Sequence, residues 1–122
     1  MKRFSFVSKY VQIVFFVLLG VACGAQLSYA TTPKSVDLAY DAGTQTLSVT
    51  IDHSTVSRGM HHIKYVDIKK NSVSFGKNEY STQPTGELFT YTYKIPAVKG
   101  DIFEATAICN MWGRKTSTFT VP

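Results

Sequence analysis

The sequence predicts an all-β fold, an immunoglobulin-like β-sandwich of about seven antiparallel strands preceded by a signal peptide. Three observations lead there. Beyond residue 31 apolar residues recur at every second position, and no stretch follows helical spacing. Turn-forming residues interrupt these runs at intervals that suit short strands. With 44% apolar and 17% charged residues in a chain of 122, the composition is that of one packed domain. It excludes a disordered chain, a collagen-like chain and a coiled coil.

The elements follow in order. Val36–Tyr40 is the first strand, and Asp41-Ala42-Gly43-Thr44 supplies turn chemistry. Thr46–Asp52 comes next, with Leu47, Val49 and Ile51 on one face. Ile63–Lys70 is the third; Tyr65-Val66 breaks its alternation and predicts a bulge. A short strand begins at Val73 and ends at Phe75, or continues to Tyr80, and Gln83-Pro84-Thr85-Gly86 is a loop. Leu88–Ile95 places Phe89, Tyr91, Tyr93 and Ile95 on one face, which predicts core filling. Ile102–Cys109 does the same with Phe103, Ala105, Ala107 and Cys109. Asn110–Lys115 turns the chain into a last strand, Thr116–Val121.

The first thirty residues read differently. Lys2, Arg3 and Lys9 precede an apolar run from Val11 to Ala22, and Ser28-Tyr29-Ala30 has a small-x-small pattern. These are the three regions of a secretory signal peptide. The apolar run falls short of the ~20 residues of a membrane span. Residues 1–30 are therefore read as a signal peptide and 31–122 as the exported domain, periplasmic or secreted. The alternative is a lipoprotein box at Leu18-Leu19-Gly20-Val21-Ala22-Cys23, which would anchor the chain to a membrane through an acylated Cys23. Gly20 stands where such boxes carry a large aliphatic residue. Removing the leader reduces a formal charge of +5 to ten basic against eight acidic residues. With no basic cluster, no nucleic-acid partner is expected.

The domain's histidines and its cysteine fall at particular places on this strand map. His53 follows the second strand, His61 and His62 precede the third, and Cys109 ends the sixth. In a sandwich of this topology these connections lie at one end. Imidazoles and a thiol converging on one rim suit a transition metal: iron, copper or zinc. Taken singly, each has a plainer reading, since a lone strand cysteine is usually a small buried apolar residue.

The segment His53-Ser-Thr-Val-Ser-Arg-Gly-Met-His61-His62-Ile63-Lys64-Tyr65-Val66 resembles the H-P-x(n)-H-Y-I-x-x-I segment of the desulfoferrodoxin/superoxide reductase family. Ala107-Ile108-Cys109-Asn110-Met111-Trp112-Gly113 resembles that family's Y-C-N-x-H-G segment. The resemblance implies a mononuclear non-haem iron centre in an immunoglobulin-like sandwich, with histidines around the iron and an axial cysteine sulfur. It implies one-electron reduction of superoxide to hydrogen peroxide, a steering lysine and a redox donor protein as partner. By match, His53, His61 and Cys109 correspond to ligands, while His62 stands at the tyrosine position and is a less favoured fourth. Trp112 replaces the histidine after the cysteine, and the family's amino-terminal E-K-H-x-P segment has no counterpart. The resemblance therefore implies an oxidoreductase site short of two imidazoles, and weakened activity.

Other readings compete. Two histidines, a cysteine and nearby Met111 are close to the blue-copper set, although cupredoxins place a histidine between cysteine and methionine. Zinc on the same three residues lacks an obvious fourth ligand. A metal-free binding module would use Trp112 and the rim aromatics. No Gly-rich phosphate loop, G-x-S-x-G elbow or H-E-x-x-H is present. For export, the expected mature chain begins at Thr31; its intact mass, measured from the native host, checks this, and an acylated Cys23 at the amino terminus would contradict it.

Overall fold

The structure is a computed structural model that describes residues 32–122. The segment read as a signal peptide, with Cys23, lies outside the described residues. Seven strands follow one another: β1 Ser35–Asp41, β2 Thr46–Asp52, β3 Ile63–Lys70, β4 Val73–Glu79, β5 Leu88–Lys94, β6 Ile102–Cys109 and β7 Arg114–Thr120. They form a three-stranded sheet, β1-β2-β5, and a four-stranded sheet, β4-β3-β6-β7, with every pairing antiparallel. The predicted all-β, seven-stranded architecture is the one observed.

Alternation decides which side chains enter the space between the sheets. Leu47, Val49 and Ile51 of β2 are wholly buried, as are Phe103, Ala105 and Ala107 of β6 and Ile63, Val66 and Ile68 of β3. Ala105 and Ala107 alternate inward with Phe103 on β6, and the core they join draws residues from both sheets. Phe89 is buried, and Tyr91 and Tyr93 pack half-buried against the same core. Tyr40 packs its ring at 5.3 Å from Phe103 and donates its hydroxyl to the Ile95 carbonyl at 2.8 Å, tying β1 to the end of β5.

Turns set the registers. Asp41 Oδ1 accepts from the Gly43 and Thr44 amides at 2.8 and 3.2 Å, closing the β1–β2 connection. Between β3 and β4 a two-residue turn, Asn71-Ser72, has φ of 51° and 65° and joins the paired Lys70 and Val73. Positive φ at both central positions matches the right-handed twist of the flanking strands.

The sequence reading differs from the structure at several ends. β3 carries two register shifts, between Ile63 and Tyr65 on the β6 side and between Asp67 and Lys69 on the β4 side, on either side of the expected Tyr65-Val66. The first concerns the inward face. Its extra residue lets both Ile63 and Val66 point inward. β4 runs the full length to Glu79 although most of it is exposed, because pairing with β3 holds it. β7 starts at Arg114, where Ile108 pairs with it, and ends at Thr120; β5 ends at Lys94. In β4 and at the start of β7 backbone pairing extends past the apolar alternation, whereas β5 and the end of β7 stop one residue short of the expected ends.

Three tyrosines link the two sheets. Tyr80, just after β4, stacks on Tyr91 at 4.0 Å, and its hydroxyl shares a 2.6 Å hydrogen bond with that of Tyr93. Burial pushes the Tyr91 phenol up to about 12 and raises those of Tyr93 and Tyr80 as well. In the unfolded chain these groups ionise near pH ~10. Raised folded values mean stability that is intact below that pH and lost as pH rises through the folded values. Alkaline titration should therefore show stability falling from about pH 10 upward. Tyrosinate absorbance followed with circular dichroism checks this: a fraction of the phenols should ionise only as the sandwich unfolds.

Candidate metal centre

Three connections meet at one end of the sandwich: residues 53–62 between β2 and β3, 80–87 between β4 and β5, and 110–113 between β6 and β7. Asn110 joins two of them. Its side-chain carbonyl accepts from the His62 amide at 2.9 Å, its NH2 donates to the Met60 carbonyl at 2.9 Å, and its own backbone amide donates to the His62 carbonyl. The third connection lies against the first through the His53 amide to the Glu87 carbonyl and the Thr55 amide to the Gly86 carbonyl, both 2.9 Å. Gly86 is required by this approach, since a Cβ there would stand 2.8 Å from the Thr55 carbonyl oxygen.

His53 continues the inward alternation of β2 and is 1% exposed. Its Nδ1 lies 2.7 Å from Gln83 Oε1. Gln83 is equally buried, and its amide orientation is fixed by its other partners. The NH2 donates to the carbonyls of His53 at 2.7 Å and Thr85 at 2.9 Å, while Oε1 also accepts from the Ile63 amide at 3.2 Å. A flipped amide would set oxygen against two carbonyls and NH2 against an N–H. Oε1 is therefore the atom facing His53, and Nδ1 carries the proton. The lone pair belongs to Nε2, the nitrogen a metal would take. Second-sphere hydrogen bonds of this kind fix tautomer and ring orientation in metal sites.

His61 is presented by a tight turn in which its amide and that of Met60 donate to the Ser57 carbonyl at 2.8 and 3.1 Å. Its ring meets that of His53 edge to face, centroids 4.7 Å apart. Cys109 ends β6 with its sulfur inward. The Cys109 amide donates to the Gly113 carbonyl at 3.1 Å, and the turn so formed directs the Met111 amide onto Sγ at 3.4 Å. An N–H donor there complements the charge of a metal-bound thiolate. Gly113 closes this turn at φ 83°, against Thr32.

The structure thus brings His53, His61 and Cys109 together, with their ligand atoms all within 4.8 Å of one another. Metals of this class sit about 2.0–2.3 Å from nitrogen and sulfur. Two imidazoles and a thiol form a borderline-to-soft set that fits iron, copper or zinc and not the oxygen-seeking magnesium or calcium. Among the described residues no carboxylate joins the group.

His62 is not brought to this group. It lies at the entry to β3, with Nε2 3.2 Å from the Tyr80 carbonyl. Its Nδ1 is buried without a hydrogen-bond partner among the described residues. Trp112, at the position where the resemblance has a histidine, is exposed. Gln83 is the functional residue that sequence reading misses; it falls in a loop, and no local pattern marks its burial.

Comparison with known proteins adds the following. No family model matches the chain, and no curated protein matches it. Among solved structures it is similar to a superoxide reductase (neelaredoxin) from Ignicoccus hospitalis at 17% identity, over 74% of this chain and 78% of that one, with a TM-score of 0.46. Two single-residue variants of that protein give 17% identity over 74% and 77% of the chains at 0.47, and 13% over 75% and 82% at 0.44. At such identities the likeness concerns the fold alone.

The tautomer assignment is directly testable. Long-range nitrogen–proton NMR should place the His53 proton on Nδ1 in the wild-type chain. Gln83→Leu should give a tautomer mixture and lower metal affinity about 10–100-fold. An Nε2–H tautomer in the wild type would contradict the assignment.

Proposed function

We propose that this chain is an exported protein holding one mononuclear non-haem metal ion on His53, His61 and Cys109, with iron as the resident metal. The observation that carries the reading is the convergence of those donors from two separate connections, within 4.8 Å of one another. The motif resemblance supplies the choice of iron and the reaction class. Bound there, ferrous iron would supply the single electron that converts superoxide, with protons, to hydrogen peroxide.

The residues divide this work. Cys109 provides the anionic donor, and the Met111 amide supports it. His53, set by Gln83, provides a neutral imidazole of fixed orientation. His61, half-buried, is the donor nearest solvent among the three. Two further imidazoles that the resemblance implies are absent, as is the steering lysine. Fewer ligands hold a ferrous ion less firmly, and an approach without that lysine attracts the anion less. Superoxide reduction is therefore slow, and a redox donor protein would be needed for turnover. A second reading has its own support: two imidazole nitrogens and one thiolate sulfur are the donors of copper electron-transfer sites, and zinc takes the same set.

Full-length chain purified without tag or chelator should contain one metal ion, with a thiolate-to-metal charge-transfer band lost in Cys109→Ala while circular dichroism is unchanged. Full metal content in Cys109→Ala would return the cysteine to the core. A metal-free protein would leave a binding module built on Trp112 and the rim. By pulse radiolysis the iron-loaded protein should react with superoxide well below the diffusional ceiling of ~10⁸–10⁹ M⁻¹s⁻¹.

A further inference from the structure

β4 and β5 are edge strands of different sheets and do not pair with each other. Phenols bridge them instead. Tyr80, the residue after β4, and Tyr93 of β5 share a hydrogen bond between their hydroxyls, 2.6 Å apart. Tyr91 lies flat on Tyr80, with the rings parallel within 1° and their centroids 4.0 Å apart, and this stack holds the Tyr80 ring in place.

Both backbones are fixed. The Tyr80 amide donates to the Lys64 carbonyl at 2.8 Å, its carbonyl lies 3.2 Å from His62 Nε2, and Tyr93 pairs with Leu47 in the β2–β5 ladder. A cavity of about 300 Å³ lies at this edge, lined by Tyr93 and Ile95 on one side and by Phe75 and Asn78 of β4 on the other. It is several times the ~30 Å³ share of one water molecule, so small oxidants reach the Tyr93 side chain. Burial raises the phenol pKa values of both residues. At neutral pH they are therefore protonated and lose hydrogen atoms on oxidation. When two phenols join through the carbons next to their oxygens, the product carries its hydroxyls on either side of the new bond, hydrogen-bonded to each other. Tyr80 and Tyr93 already hold their hydroxyls in that relation.

We propose that Tyr80 and Tyr93 form a modification site at which oxygen-centred radicals produce an intramolecular dityrosine, linking the two sheets covalently across their unpaired edges. Each phenol gives one hydrogen atom to one radical, and the two radicals leave as hydroxyl compounds (water, where the oxidant is hydroxyl radical). The two phenoxyls couple by a carbon–carbon bond, and each displaced ring hydrogen returns to its oxygen as a proton through solvent. Two phenols and two radicals thus give one biaryl and two hydroxyl compounds. The inference stands apart from the metal centre and uses none of its three donors.

The test exposes the full chain, in dilute solution, to a low dose of radiolytic hydroxyl radical, with products read on the monomer fraction. The expected product shows dityrosine fluorescence and has lost two hydrogens in mass. Cleavage after Glu87 separates Tyr80 from Tyr93 in the untreated chain, and in the product the two peptides stay joined. Tyr80→Phe and Tyr93→Phe keep the ring and the fold, and each should abolish the joined peptide, whereas Tyr91→Phe should retain it. Unfolding in urea should lower the wild-type yield at least about ten-fold, because the folded chain supplies the orientation. Three results would overturn the proposal: separate hydroxylation of Tyr80 and Tyr93 with no bond between them, a joined peptide that persists in Tyr80→Phe, or equal yields from folded and unfolded chains.

Discussion

One buried amide holds the functional end of this molecule together. Gln83 makes four side-chain hydrogen bonds, to the His53 ring, the His53 carbonyl, the Thr85 carbonyl and the Ile63 amide. Those partners belong to the end of β2, the start of β3 and the β4–β5 connection. Each is a polar group removed from water, and leaving one unpaired costs about 1–3 kcal/mol. Among uncharged side chains only glutamine and its shorter relative asparagine offer an amide acceptor together with two N–H donors. The same bonds that satisfy these backbone groups also choose the His53 tautomer. Structural closure of the rim and chemical preparation of the site are one arrangement.

The rest of the rim follows from that closure and from the sandwich beneath it. Because β2 and β6 lie in different sheets, inward alternation brings His53 and Cys109 toward each other from opposite layers. Asn110 then locks the 57–62 turn onto the β6–β7 turn, which delivers His61. The core supplies rigidity: wholly buried Leu47, Val49, Ile51 and Phe103 sit behind the ligands in the same strands. The donors are mounted on strand ends and tight turns, which suits a site that must keep its geometry.

The interior strands are readable because each alternates large apolar with polar residues, as in Leu47-Ser48-Val49-Thr50-Ile51. Edge strands are less so. Arg114 and Lys115 begin β7 with exposed charged side chains, and only their backbone pairing with β6 marks them as strand. His53, His61 and Cys109 can be placed on one rim because strand order alone puts their connections at the same end. His61 and His62 both precede β3, so strand pleating does not separate them; His62 is held apart by its own contact, Nε2 to the Tyr80 carbonyl. Gln83 is not readable: a glutamine before Pro84 reads as exposed loop, and its burial arises from partners 20 and 30 residues away in sequence.

The central claim is that three donors from two connections act as one ligand set while the adjacent imidazole does not. Cobalt(II) absorption spectroscopy tests it most directly, since a bound thiolate gives an intense charge-transfer band and the ligand-field bands report coordination. The account predicts saturation at one equivalent in the wild type, loss of that complex in His53→Ala and in His61→Ala, and its retention in His62→Ala. Identical cobalt spectra in the wild type and His53→Ala, or loss of the complex only in His62→Ala, would contradict it.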